Sequence, residues 1–282
     1  MKAPSLLRFW AVHLLLVGAT LAALYPVLFV LKMALTEASA VSMGLNPLPA
    51  HPSLANFTTV VQTQTGDGGW LFGRQLFNSL VVSGATAVVG VGIACTAGYA
   101  MSRWSFPGRE RLGRLFLLTQ MFPAVVMATP LYLLLDLLHL LDSRTGLVLC
   151  YATSAIPFAT WNLKGYFDTV PKELEEAAMI DGASRWTTFW TIILPLARPA
   201  LVVTGLFAFM GAWNEFILAA TLLGDERAYT LPVVLNGYVG EQSTQWGLFA
   251  AGAILVSLPV IALFFVAQRH LVEGLTAGSV KG

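Results

Sequence analysis

Charge is scarce in this chain. Only 11% of its 282 residues are Asp, Glu, Lys or Arg, against about 25% in an ordinary soluble domain. Hydrophobic residues make up 56% and the mean hydropathy is +0.71. A chain this poor in charge cannot cover a water-facing surface, which excludes a soluble globule and leaves an integral membrane protein in contact with lipid. The net charge of +1 gives no basis for a nucleic-acid partner. The cysteines are only two, Cys95 and Cys150, and both sit inside apolar runs. With no CxxC or metal spacing they read as small buried hydrophobes. The four histidines (His13, His51, His139, His270) are scattered, so no metal site is expected. Catalytic signatures are missing too. The five lysines precede Ala3, Met33, Gly165, Glu173 and Gly282, so no K-[ST] pair closes a phosphate-binding loop. HExxH and GxSxG are also absent. No catalytic residue and no cofactor of its own is expected.

Long apolar runs are what the chain does have. A bilayer-crossing helix needs roughly 20 mostly apolar residues. Six segments qualify: 9–31, 76–101, 112–135, 145–163, 200–222 and 247–267. The first follows Lys2 and Arg8, as a signal peptide would. Its apolar run exceeds the roughly 7–15 residues of a signal core, so a retained helix is expected. The expected fold is an all-α membrane protein, one transmembrane domain over 1–282. Basic residues set its orientation. With the N-terminus in the cytoplasm, 12 of the 16 Lys and Arg fall inside; only Lys32, Arg74, Arg144 and Arg227 fall outside. Six spans then leave both termini cytoplasmic. Gly90, Ala94 and Gly98 form a small-residue face on the second span that admits another backbone. Pro26, Pro123, Pro130, Pro157 and Pro259 each remove a donor within or near a span and bend it.

Ionisable groups inside the spans are rare. Glu215, in Trp213-Asn214-Glu215-Phe216, is the one acid well inside a span. A charge at the bilayer centre costs about 2.5–3.5 kcal/mol on insertion scales. Asn214 and Glu215 therefore either line a solute pathway or bond to a neighbouring helix. A proton-driven carrier usually carries several such groups, and here there is one.

The cytoplasmic loop 164–199, between spans four and five, is the least ordinary stretch: EEAAMIDGASRWTTFWTIILPLARPA over 175–200. Thr169 and Pro171 suit a helix start. Glu173, Glu175 and Glu176 suit its positive end. Ala177 and Ala178 keep it thin, and Gly182 suits the turn that ends it. Trp186, Phe189, Trp190 and Ile193 follow at i, i+3, i+4 and i+7, one face of a second helix. The expected object is a slim helical knob on an aromatic anchor. Such a knob fits a groove on a soluble partner; a solvated loop with an interfacial helix is the plainer alternative.

At these residues a resemblance appears. Glu176-Ala177-Ala178, three residues, Gly182, nine residues, then Ile192-x-Leu194-Pro195 resembles the EAA signature of ABC importer permeases. Pro52-Ser53-Leu54-Ala55-Asn56-Phe57 and the tail 268–282 are similar to the smaller permease subunit of maltose/maltodextrin transporters. The resemblance implies that Glu176, Ala177, Ala178, Asp181, Gly182, Ile192, Leu194 and Pro195 belong to a coupling helix docked on an ATPase subunit. It implies that Leu275, Thr276, Ala277 and Gly278 reach the ATPase as well. The partners it implies are two ATPase subunits carrying ATP and magnesium, a second homologous permease and an extracytoplasmic solute-binding protein, all at a bacterial inner membrane. The 223–246 loop, with Tyr229, Leu231-Pro232 and Tyr238, would face the solute-binding protein. The cargo it implies is maltose, maltodextrin or a related oligosaccharide. The rivals are another cargo such as glycerol phosphate, a secondary transporter working alone, and a scaffold that moves nothing.

Overall fold

A computed structural model describes residues 6–36, 44, 46–49, 51–240 and 244–279, with side chains from 9 to 268 within those limits. Among the described residues the secondary structure is helical, apart from two isolated bridges, Gln64 with Trp70 and Val239 with Thr244. In chain order the helices are α1 (Leu6–Ala34), α2 (Ala55–Val61), α3 (Leu71–Arg103), α4 (Arg109–Thr119), α5 (Ala124–Leu137), α6 (Arg144–Thr169), α7 (Glu173–Ile180) and α8 (Arg185–Thr188). A π-helical turn, Phe189–Ile193, leads into α9 (Leu194–Leu196), α10 (Arg198–Trp213), α11 (Ile217–Leu222), α12 (Leu231–Gly237) and α13 (Trp246–Ser279).

Among the described residues, three helices are long and apolar enough to cross a membrane: α1 over Phe9–Ala34, α3, and α13 over Trp246–Gln268. Two bent pairs raise the number to five if each is one span. The pair in the expected third span, α4 with α5, turns by 100°. Pro123, which has no N–H, is the extended residue just before α5. Gln120 in the break donates to Ser154 O at 3.0 Å. Within the expected fifth span, α10 and α11 are separated by Asn214, Glu215 and Phe216. The other bent pair, residues 185–196 with 198–213, turns by 74°. The expected fourth span lies in α6, which has the length but carries Thr145, Thr153, Ser154, Thr160, Asn162 and Lys164.

The contacts divide the chain into two compact units, residues 1–73 with 234–258 and residues 74–233 with 259–282. In the first unit, Asn56 on α2 donates to Ala34 O and Thr36 O, each at 2.9 Å, and so holds the end of α1. Gly247 leaves room for it, because a Cβ there would sit 2.7 Å from Asn56 Nδ2. Lys32, expected in an outer loop, is buried. Its ammonium donates to Gly44 O at 3.1 Å and Asn46 O at 2.6 Å, which offsets its lost hydration.

The second unit is built on α3 and α6. Gly98 is a point of close approach: a Cβ there would meet Lys164 N at 3.0 Å and Thr160 O at 3.1 Å. This is the work of the small-residue face read from Gly90, Ala94 and Gly98. One core cluster combines Ala94, Cys95 and Tyr99 with Leu163, Phe167, Phe189 and Ile193. A second combines Leu135, Leu147, Tyr151, Ala212 and Leu222.

Candidate functional site

The motif residues of the 164–199 loop fold onto the C-terminal end of α3. Helix α6 runs on to Thr169, whose hydroxyl donates to Tyr166 O at 2.7 Å. Thr169 therefore ends one helix and does not cap the next. The short helix α7 starts at Glu173 after Lys172, with Glu173, Glu175 and Glu176 in its first turn. Its end follows the expected geometry. Gly182 adopts φ +88°. Gly182 N donates to Met179 O at 3.1 Å and Ala183 N to Ala178 O at 2.9 Å. This paired closure is a Schellman turn, which favours glycine at the left-handed position.

A cluster of polar groups fixes α7 to α3 and α6. Arg103 and Glu175 form a nearly buried ion pair, their side chains 6% and 13% exposed. Tyr99 donates its hydroxyl to the second Glu175 oxygen at 2.7 Å. The Arg103 guanidinium also donates to Phe167 O at 2.8 Å and Val170 O at 3.1 Å. Ser102 donates to Asp168 at 2.7 Å, and Lys164 pairs with Asp168 at 2.5 Å. Burial pushes the Asp168 carboxyl up, but hydrogen bonds from Lys164 and Ser102 and the charges of Lys164 and Arg109 outweigh it, leaving the pKa below its usual value.

The motif splits into two sides. Glu176, Ala177, Asp181 and Gly182 are exposed, while Ala178 is buried and Ile192, Leu194 and Pro195 are half-buried. Beside the exposed set stands Ile180, 86% exposed and next to the exposed Met179. Sequence reasoning missed both apolar residues, although they lie between the alanines and Gly182. The aromatic stripe is also divided. Phe189 and Ile193 are buried, whereas Trp186 and Trp190 are exposed. Phe189 and Ile193 form one edge of the stripe and pack on Ala94, Cys95 and Tyr99, while Trp186 and Trp190 form the other edge.

At the N-terminal end of α3, a polar stripe holds the segment 225–231. Gln75 donates to Glu226 O at 3.0 Å. Asn78 donates to Arg227 O at 2.9 Å and Tyr229 O at 3.1 Å. Ser79 accepts from Leu231 N at 2.8 Å. Leu231 is thus a buried anchor, and Tyr229 and Pro232 are only partly exposed. Asp142 accepts from Gly224 N at 2.5 Å and Asp225 N at 3.0 Å. A cavity of about 550 Å³ opens here, lined by Arg74, Arg144 and Arg227 with Asp142 and Asp225. In the other unit, burial raises the pKa of the Tyr238 hydroxyl, although a hydrogen bond with Thr63 works the other way.

Asn214 and Glu215 occupy the break before α11. Glu215 accepts from Leu218 N at 2.8 Å and Ala219 N at 3.1 Å, capping α11. Asn214 turns back to Met210 O at 2.9 Å. The backbone bonds of both are local to their own stretch of chain, but the Glu215 carboxylate also stands beside the buried hydroxyl of Tyr151 on the neighbouring helix α6. Leu275, Thr276, Ala277 and Gly278 lie on the helical backbone of α13, but their side chains are outside the described residues. No cluster of three His, Cys, Asp or Glu suited to a metal occurs among the described residues.

Residues 88–276 match the family described as binding-protein-dependent transport system inner membrane component. The chain belongs to that family. The maltose/maltodextrin transport system permease protein MalG of Vibrio vulnificus is 36% identical over 293 residues, covering 98% of this chain and 96% of the relative. The trehalose transport system permease protein SugB of Mycobacterium tuberculosis is 36% identical over 277 residues, covering 97% of each. A crystal structure of a bacterial ABC transporter involved in the import of the acidic polysaccharide alginate superposes with a TM-score of 0.77 at 25% identity, covering 95% of this chain and 98% of that one. The protein is an ABC importer permease, a multi-pass membrane transport component and not an enzyme.

Proposed function

We propose that this chain forms half of the pathway of an ATP-driven sugar importer. It crosses the bacterial cytoplasmic membrane six times, with α1, α3, α6 and α13 as four spans and the broken pairs α4–α5 and α10–α11 as the others. Both termini are cytoplasmic, the whole of 1–282 is one transmembrane domain, and the 164–199 loop carries the coupling helix. A second, homologous permease completes the pathway, and an extracytoplasmic solute-binding protein delivers cargo. The names of its relatives support maltose, maltodextrin or a related oligosaccharide as that cargo.

The observation that carries this reading is α7. It displays Ile180, Glu176, Ala177 and Asp181, while Glu175 and Ala178 fasten it to the bundle. A short helix with an apolar tip and acidic flanks fits a groove whose rim offers arginines. Two ATPase subunits, which would hold ATP and magnesium, supply that groove. Their closure moves α7, and the Arg103–Glu175 pair passes the motion to α3 and α6. The two arrangements of the bundle then expose the pathway to alternate sides. The tail 268–282, with Leu275, Thr276, Ala277 and Gly278, reaches the same ATPase pair.

The test is reconstitution. Proteoliposomes with the permease pair, the ATPase and the binding protein should import labelled maltodextrin only with internal ATP. Import by this chain alone on a proton or sodium gradient would overturn the reading.

A further inference from the structure

A cavity of the second unit lies where α3 ends and α4 begins, against α6. It measures about 1000 Å³. Gly113 lets α4 come down onto α6: a Cβ there would meet the Trp161 ring at 3.2 Å. The lining has two chemistries. Arg109, Arg111, Arg114 and Lys164 bring four cations against one carboxylate, Glu110. Met101, Phe106, Leu117 and Trp161 make the apolar walls.

Two of the cations, Arg111 and Arg114, are only loosely engaged. Glu110 and Arg114 approach to 3.8 Å with side chains 91% and 72% exposed, a pair that contributes little in water. Arg109 reaches Trp104 O at 3.4 Å, a long bond. Arg111 is exposed and has no hydrogen-bond or ion-pair partner among the described residues. Lys164 is held at 2.5 Å by Asp168, a carboxylate that also feels Arg109 but does not line the cavity. A surplus of positive charge therefore faces an open, half-apolar space. Trp161 and Lys164, near the end of the apolar stretch of α6, mark the depth at which headgroups meet acyl chains.

We propose that this cavity binds an anionic phospholipid. Its phosphate sits among Arg111, Arg114 and Lys164, and an acyl chain follows Leu117 and Trp161 toward the bilayer. A soluble phosphate would satisfy the cations but leave the apolar wall wet. A neutral lipid would fill the wall but leave the cations unpaired. Basic pockets between membrane helices suit anionic headgroups for this reason. In the proposed orientation the site lies in the cytoplasmic leaflet.

Tryptophan quenching tests it. The assembled transporter is placed in phosphatidylcholine bilayers containing brominated phosphatidylglycerol or brominated phosphatidylcholine. The Trp161 signal is the difference between the wild type and Trp161→Phe. Phosphatidylglycerol should be preferred at this residue by roughly fivefold or more, the effect of about one cation near an anionic headgroup. The preference should vanish in Arg111→Gln/Arg114→Gln and persist in Arg144→Gln. Should Trp161→Phe fail to assemble, the phosphatidylglycerol retained by the purified double variant, counted by mass spectrometry, must fall below that of the wild type. Equal quenching by the two lipids in the wild type would overturn the proposal, as would unchanged preference or retention in the double variant. Loss of the preference on adding inorganic phosphate would assign the pocket to a soluble anion instead. Loss of the ATPase subunits from the double variant with lipid retention unchanged would assign the surface to a protein.

Discussion

Arg103, the last residue of α3, holds Glu175, in the first turn of α7, in an ion pair almost closed to solvent. The same guanidinium satisfies the carbonyls of Phe167 and Val170 at the end of α6. One side chain thus joins three helices at the point where the proposed knob leaves the bundle.

Removing one partner of this pair leaves the other charge buried, at a cost of about 3–5 kcal/mol. Glu175→Ala should therefore detach α7 from α3. ATP hydrolysis by the assembled transporter should continue while substrate import falls at least tenfold. Arg103→Lys keeps the charge but loses the fork that reaches Phe167 and Val170, so it should be impaired as well. The ratio of solute imported to ATP hydrolysed checks both.

Gly182 has φ +88°, and a Cβ there would meet nothing within 4 Å. The constraint is the backbone alone. Gly182→Ala should cost about 1–2 kcal/mol at the turn, Gly182→Asn less and Gly182→Val more. Membrane insertion should be normal in all three, with import falling in the order Asn, Ala, Val. Limited proteolysis of the 164–199 loop should increase in the same order.

Asp168 links pH to the stability of this corner. Its folded pKa lies below the ordinary 3.8, so the stabilisation is fully present above that value and is lost as pH falls through the folded pKa. Asp168→Asn should lower the melting temperature of the purified transporter by a constant amount at about pH 6–8. The gap should narrow only as the solution becomes strongly acidic. A gap that closed already near neutrality would point to another group.

Glu215 distinguishes a cap from a pathway charge. As a cap on α11 its loss should cost about 1 kcal/mol. Glu215→Gln retains one acceptor and should keep most of the import activity, while Glu215→Ala should lose stability and import together. Equal loss of import in both, at unchanged melting temperature, would show that the charge itself is needed.

The apolar runs of α1, α3 and α13, the short helix α7 and its glycine turn were legible because each rests on local rules: span length, small residues, and a left-handed turn that glycine reaches cheaply. The four-residue break of 100° between Thr119 and Ala124 was not. Pro123 marks a weak point, but the turn also has Gln120 bonded to Ser154 O, 34 residues away. The split of Trp186 and Trp190 from Phe189 and Ile193 was hidden because spacing alone does not say which edge of an aromatic stripe meets the core. Lys32 counted as an outer charge, yet carbonyls of Gly44 and Asn46 take its ammonium. Gln75, Asn78 and Ser79, spaced i, i+3 and i+4 in an apolar helix, were a usable signal for the loop they hold. Arg103 with Glu175 could not be paired from sequence, because 72 residues separate them.

If force enters through the tip of α7, a crosslink there must control transport. Ile180→Cys in the otherwise cysteine-free transporter, paired with single cysteines along the proposed groove of the ATPase subunit, should form a disulfide under mild oxidation. Import should stop on oxidation and return on reduction. If Cys at position 180 instead reacts with a membrane-impermeant thiol reagent added from outside sealed cells, α7 lies on the wrong side and the account fails.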